Sequence, residues 1–172
     1  MDMNWTHIWN NDVKHCLEHL HAFEMVTQVD GVETKILVHF GHHTFTDDKE
    51  TGQKFQWAER INDHRYFSAS RYEASKDLPG IIRSELAKQQ SYITAYYNKK
   101  NIECYYYINT VDYVMFLEIR KPQDIDNYLK VKVVSAYEKD QWGTFPNGKK
   151  YKLSYLLSER VKGNYLLKRK KG

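Results

Sequence analysis

The sequence predicts an α+β fold, an antiparallel β-sheet meander with one main helix packed on it. Three observations point there. Residues 129–137, LKVKVVSAY, alternate Leu129, Val131 and Val133 with Lys130 and Lys132, the period of two expected of a strand with one buried face. Residues 78–89 place Leu78, Ile81, Ile82 and Leu86 on one helical stripe, with Asp77 set to cap it and Pro79 in the first turn. Residues 92–97, 102–108 and 111–119 are short apolar and aromatic runs, separated by the turn-forming stretches 98–101 and Asn109-Thr110.

The remaining elements follow in chain order. Residues 13–21 read as a short helix. Residues 20–28 read as extended, with Phe23 and Met25 in one phase. Asp30-Gly31 is a strong turn signal, and residues 35–40 follow it with Ile36, Val38 and Phe40 on one face; these two runs predict a hairpin. Residues 41–53 are polar and loop-like, and residues 55–63 fit a short strand or a short helix. Residues 111–119 are apolar on both faces except at Asp112 and Glu118, which predicts a central strand. A last strand is expected over residues 151–157, after the Pro146-Asn147-Gly148 turn, with residues 165–167 pairing weakly. No repeat or Pro/Gly-rich linker divides the chain, so residues 1–158 are expected to form a single α+β domain and residues 159–172 a basic C-terminal tail.

Composition narrows the class. In 172 residues, 41% are hydrophobic and 28% charged, which suits a soluble globular protein with a core of its own. Fourteen tyrosines favour strands and contact-making surfaces. Cys16 and Cys104 have no metal-ligand spacing and read as reduced thiols. The polar N-terminus lacks a secretory apolar run, and no window holds the roughly 20 apolar residues needed to span a bilayer. A cytoplasmic location without membrane contact is therefore expected. Residues 159–172 carry six basic residues against one acid, +5 of the total +4, so everything upstream sums to about −1. Such a tail suits a phosphate backbone, or serves as a solvated terminus.

Three clusters carry candidate chemistry. The first is Gly41-His42-His43-Thr44-Phe45-Thr46, directly after a strand; histidine has the side-chain pKa nearest neutrality, about 6.5. Adjacent residues on an extended backbone point to opposite faces, so one imidazole should enter a given site, and His43 is the candidate. The second runs from Arg65 to Tyr72 and contributes Arg71, whose planar fork can hold a phosphate; pairing of these arginines with nearby acids is the structural alternative. The third is Ser135 with Tyr137, which the alternation of residues 129–137 carries onto the buried face; closing a strand end is its alternative. His15 and His19, four apart, could hold zinc if helical, but an H-E-x-x-H order is absent and no metal or other cofactor is expected. The chain has no Gly-rich phosphate loop, G-x-S-x-G elbow or paired CxxC, which disfavours nucleotide-driven motors and zinc ribbons.

The succession VHFGHHTFTD, RYFSASRYEASKDLPGIIRSEL, YVMFLEI and VVSAY, across residues 35–140, resembles a set of uncharacterised bacterial and phage-borne proteins. In that set an H-x-F-T loop, an R-F…R-Y stretch before a helix and a terminal S-A-Y strand recur in this order. More remotely, a helix followed by a meander ending in Ser/Thr-x-Tyr is similar to the BECR nucleases, the barnase, EndoU, colicin and RelE-like ribonucleases. That resemblance implies metal-independent acid–base cleavage of RNA by a toxin or phage-defence component. It matches His43 to the histidine acid/base, Arg71 to a phosphate stabiliser, and Ser135 with Tyr137 to the polar pair at the strand end; a second acid/base group has no match. The rival expectation is a non-catalytic phage or mobile-element protein that docks onto a host protein or nucleic acid. RNA, and a protein partner such as an antitoxin, are the partners to be expected.

Overall fold

Period-two runs build one seven-stranded sheet, and the connections between them fix its order. The computed structural model describes residues 4–110, 113–138 and 145–167. An N-terminal hairpin, β1 (His7–Asn10) and β2 (Val13–Cys16), turns on Asn11 and Asp12, both left-handed at φ 49° and 65°. Asn and Asp tolerate that conformation better than other side chains. β3 (Phe23–Val29) and β4 (Val32–Phe40) form the expected hairpin around Asp30-Gly31. The chain then leaves the sheet for the segment that carries the site. There, β5 (Thr46–Asp47) and β6 (Tyr66–Phe67) pair as a short ribbon around α1 (Gln56–Glu59), and α2 (Ala69–Ser75) leads to α3 (Leu78–Lys88). It returns through β7 (Tyr92–Tyr97), β8 (Glu103–Thr110), β9 (Tyr113–Arg120) and β10 (Tyr128–Glu138), and ends in β11 (Lys150–Lys152) and α4 (Leu153–Val161).

The predicted meander is present as β7 to β10, but the whole sheet is mixed rather than antiparallel, and several helices accompany it rather than one. Its order is β11-β7-β8-β9-β10-β4-β3, curled into a half-barrel. β4 lies parallel to β10, with Leu129 beside Ile36, Val131 beside Val38 and Val133 beside Phe40. Both strands carry one apolar row, and this pairing merges the two rows into a single buried face. Above that face α3 contributes Leu78, Ile82 and Leu86, all fully buried, and α4 adds Leu153, Leu156 and Leu157. Asp77 occupies the N-cap position of α3, but its side chain makes no capping hydrogen bond.

Other expectations need correction. The helix expected over residues 13–21 is β2 followed by a 3₁₀ turn at Glu18–Leu20; the tight Asn11-Asp12 turn commits the next residues to pairing. The strand expected over residues 151–157 stops at Lys152, because Leu153, Leu156 and Leu157 recur at helical spacing and bury as one stripe of α4. Residues 165–167 form no strand; the backbone N–H groups of Leu166 and Leu167 instead donate to the buried Glu103 carboxylate, which also accepts from the Tyr105 hydroxyl. β8 continues through the Asn109-Thr110 pair expected to turn, and residues 111 and 112 lie outside the described residues. In the basic stretch, Arg160 is buried against Ile119 and Asn164 carbonyls, while Lys168 to Lys171 lie outside the described residues. No helix among the described residues is long and apolar enough to cross a membrane.

Five of the fourteen tyrosines turn inward: Tyr72, Tyr105, Tyr106, Tyr107 and Tyr137 are each at most 9% exposed. Burial pushes up the phenols of Tyr96, Tyr105, Tyr107 and Tyr137, and raises Tyr113 to about 12. An unfolded phenol ionises near pH 10, so above that pH the unfolded chain releases protons that the folded chain keeps. The stability these groups contribute is complete below about pH 10 and is lost as pH rises through their folded values. Absorbance at 295 nm should therefore show the buried phenols ionising only together with alkaline unfolding. A gradual titration of all phenols near pH 10 with the fold intact would contradict this.

Candidate active site

The site begins where β4 ends. Gly41 N donates to Val133 O at 2.8 Å, and a Cβ on Gly41 would lie 3.0 Å from the Val134 carbonyl oxygen. The absent side chain lets the loop settle directly against β10. His42–Thr44 then makes one 3₁₀ turn, closed by Thr44 N and Thr44 Oγ1 on the Gly41 carbonyl, at 3.1 and 2.7 Å. A 3₁₀ turn rotates successive side chains by only about 120°, against the half-turn of a strand. The expectation that a single imidazole of the pair enters the site is therefore corrected. His42 Nε2 and His43 Nε2 both reach the same oxygen, Asp63 Oδ2, at 2.8 and 2.7 Å.

Each member of this trio is held from behind. The His42 ring packs against Trp57 at 5.1 Å and Phe55 at 5.9 Å, and Trp5 covers both while its indole N–H donates to Phe40 O at 2.8 Å. Asp63 follows α1 through Asn62, left-handed at φ 56°, and its backbone N–H donates to Ala58 O at 2.9 Å. Arg65 and Arg71 clamp the loop: Arg65 Nη2 and Arg71 Nη1 both donate to Thr46 O, at 2.6 and 2.9 Å, and Arg71 Nη1 also donates to His43 O at 3.1 Å. The side chains of His43 and Asp63 stay 34% and 33% exposed, against 13% for His42.

Burial, then the charge of Arg65, lowers the His43 pKa to about 4 against the hydrogen bond to Asp63, and burial lowers that of His42. Burial acts to raise the Asp63 carboxyl, but the hydrogen bonds from His43 and His42 outweigh it and hold it below the ordinary range. At neutral pH the cluster is thus two neutral imidazoles donating Nε2–H to one carboxylate, which leaves both lone pairs on Nδ1.

Arg71 precedes α3 as expected, and it also lies in the first turn of the additional helix α2, where the Ser68 hydroxyl caps by accepting from Arg71 N at 3.3 Å. Its guanidinium lies 4.3 Å from the centre of the Tyr137 ring, which also stacks on Phe116 at 5.6 Å. Tyr137 is 4% exposed, so it cannot stack on a base and instead supports Arg71. The phase expected for Ser135 and Tyr137 is corrected as well. A bulge at Val134 shifts the register so that Ser135 pairs with Phe116 and Tyr137 with Val114. The bulge turns both side chains to the face opposite Val133, where Tyr106, Val114, Phe116 and Tyr137 form a second aromatic cluster. Ser135 hydrogen-bonds the Tyr137 side chain there.

Of the four residues the sequence singles out, Arg71 joins His43 to Tyr137, and Ser135 stands behind Tyr137. The His43 imidazole faces Asp63, and its carbonyl faces Arg71. A shallow cleft is lined by Ser70, Arg71, Ala74, Tyr113, Tyr137 and Glu138. Arg71 Nε and the Tyr113 hydroxyl are buried without a hydrogen-bond partner among the described residues. His42 belongs to the cluster read from sequence but is set aside there in favour of His43, and Asp63 escapes sequence reading: it sits in an irregular segment 20 residues downstream, and only the Asn62 turn marks it. His15 and His19 do not form a metal pair; His15 stacks on Phe67 at 4.6 Å, and His19 Nε2 bonds Ser75 Oγ at 2.8 Å. Among the described residues, the atoms placed to hold an ion together are those of His42, His43 and Asp63.

The model of the YjaZ family matches residues 6–161. The chain belongs to the YjaZ family. The match takes in the whole histidine loop, Asp63, α2 and β10, so every element of the site lies within the family's span. No curated protein and no solved structure matches the chain.

Proposed function

We propose that the protein cleaves RNA by acid–base chemistry centred on His43 and Asp63, with no metal required. One observation carries this reading: a partly exposed imidazole is hydrogen-bonded to a carboxylate at 2.7 Å, with a guanidinium anchored to the same histidine's carbonyl. With Nε2 donating to Asp63, His43 Nδ1 takes the proton of a ribose 2′-hydroxyl, and Asp63 stabilises the imidazolium that forms. The 2′ oxygen attacks the adjacent phosphorus and the 5′ oxygen leaves, taking the proton that the His43 imidazolium has just acquired, while His42 holds the shared carboxylate in place. Arg71, whose Nε has no hydrogen-bond partner among the described residues, stabilises the charge that builds on the phosphate. Tyr137 and Ser135 act through Arg71 and are positioning residues. The likeness to the BECR ribonucleases implies the same chemistry, and the basic residues 168–171 would add attraction to the backbone without sequence choice.

Purified protein incubated with bulk tRNA should cleave it equally with and without EDTA. His43→Ala should slow cleavage by about 10²- to 10⁴-fold. Wild-type protein that leaves the tRNA intact, or an undiminished His43→Ala variant, would reject the reading.

A further inference from the structure

We propose that His42, His43 and Asp63 also form a binding site for a divalent transition-metal ion of the zinc class. His42 Nε2, His43 Nε2 and Asp63 Oδ2 lie within 4.8 Å of one another, and each imidazole already points its Nε2 at the carboxylate oxygen. Two imidazole nitrogens and one carboxylate oxygen suit zinc and its neighbours, whereas magnesium and calcium select all-oxygen sets. The site is prearranged: Trp57, Phe55 and Trp5 fix the His42 ring, and the clamp of Arg65 and Arg71 on Thr46 O fixes the turn beneath both histidines.

An ion about 2.1 Å from each donor would spread the three atoms to roughly 3.4 Å apart. For the two imidazole–carboxylate pairs, now at 2.7 and 2.8 Å, that is a shift of a few tenths of an ångström for each side chain. Both rings would move their proton from Nε2 to Nδ1, so each stays neutral as it turns from donor to ligand. His43 and Asp63 are each about one-third exposed, which leaves a fourth position open to solvent, the pattern of an ion with three protein ligands. The charges of Arg65 and Lys132 oppose a cation here, and Asp47 and Asp48 beside Arg65 temper the first of them.

Binding of the ion stands on this geometry alone; its effect on cleavage rests on the RNA reading. An ion on His43 Nε2 removes the hydrogen bond through which Asp63 supports proton transfer, so occupancy should switch cleavage off.

The test is calorimetric titration of the EDTA-treated, dialysed full chain with zinc chloride, repeated with magnesium chloride. One equivalent of zinc should bind, with no heat from magnesium. The near-isosteric Asp63→Asn and, separately, His42→Ala should weaken zinc by about tenfold or more, while His15→Ala leaves it unchanged; circular dichroism confirms that each variant is folded. Absence of zinc binding, or binding indifferent to both site variants, overturns the proposal. In a parallel tRNA assay, zinc that binds and inhibits supports both readings. Zinc that binds and is required for cleavage keeps the metal site and removes the metal-free mechanism. Zinc that binds to a protein that never cleaves RNA keeps the site and removes the ribonuclease.

Discussion

Asp63→Asn is expected to lower RNA cleavage by about 10²- to 10⁴-fold while changing stability by about 1 kcal/mol or less. The carboxylate oxygen accepts from both imidazoles, and no other side chain among the described residues is shown to do so. An asparagine offers one carbonyl oxygen and an NH₂ that can only donate. Its oxygen can take the place of Oδ2 and accept from both imidazoles, but it carries no charge, so the imidazolium formed during the reaction has no counter-charge. Asp63 is one-third exposed and is not part of the apolar core, so the fold should tolerate the exchange. Single-turnover cleavage rates beside a thermal melt check this. A variant as active as wild type would remove Asp63 from the mechanism, and one that loses rate and fold together would mark it as structural.

Phe40→Ala carries the largest expected cost in stability, about 3–5 kcal/mol. Phe40 is 2% exposed, at the end of β4, paired with Val133 and one residue before the Gly41 approach. Its ring meets Phe23 at 6.3 Å, and its carbonyl accepts the Trp5 indole N–H. Truncation opens a cavity at the point where the sheet hands the chain to the histidine turn, so activity should fall alongside stability. Val26→Ala on exposed β3 is the control and should lie within about 0.5 kcal/mol of wild type. Urea unfolding midpoints measure both. A Phe40→Ala midpoint equal to that of the control would show that β4 is not the anchor of the site.

Where local pattern and tertiary packing agree, the fold is legible in the sequence. The Asp30-Gly31 hairpin, α3 and the β7 to β10 meander all follow from periodicity and turn residues. The parallel pairing of β4 with β10 was not legible, because nothing local in residues 129–133 shows that their lateral partner lies some ninety residues upstream. α4 was misread as a strand: Leu153, Leu156 and Leu157 follow a real strand without a punctuating glycine or proline, and the short run fits either period. At the site, His43 and Arg71 were recognisable from residue type, but their partners were not. The bulge at Val134 moves Ser135 and Tyr137 to the other face, and a one-residue insertion leaves no mark in the sequence. The 3₁₀ turn that swings His42 beside His43 has no signature of its own, and Asp63 lies in an irregular segment where an aspartate is unremarkable.

Cleavage of a short RNA in EDTA, beside the same oligonucleotide carrying 2′-deoxy sugars throughout, tests the proposed chemistry most directly. The expected result is a 2′,3′-cyclic phosphate end from the RNA and an intact deoxy strand, because His43 acts on a hydroxyl that only the ribose carries. Equal cleavage of both strands, or of neither, would contradict an acid–base ribonuclease at this site.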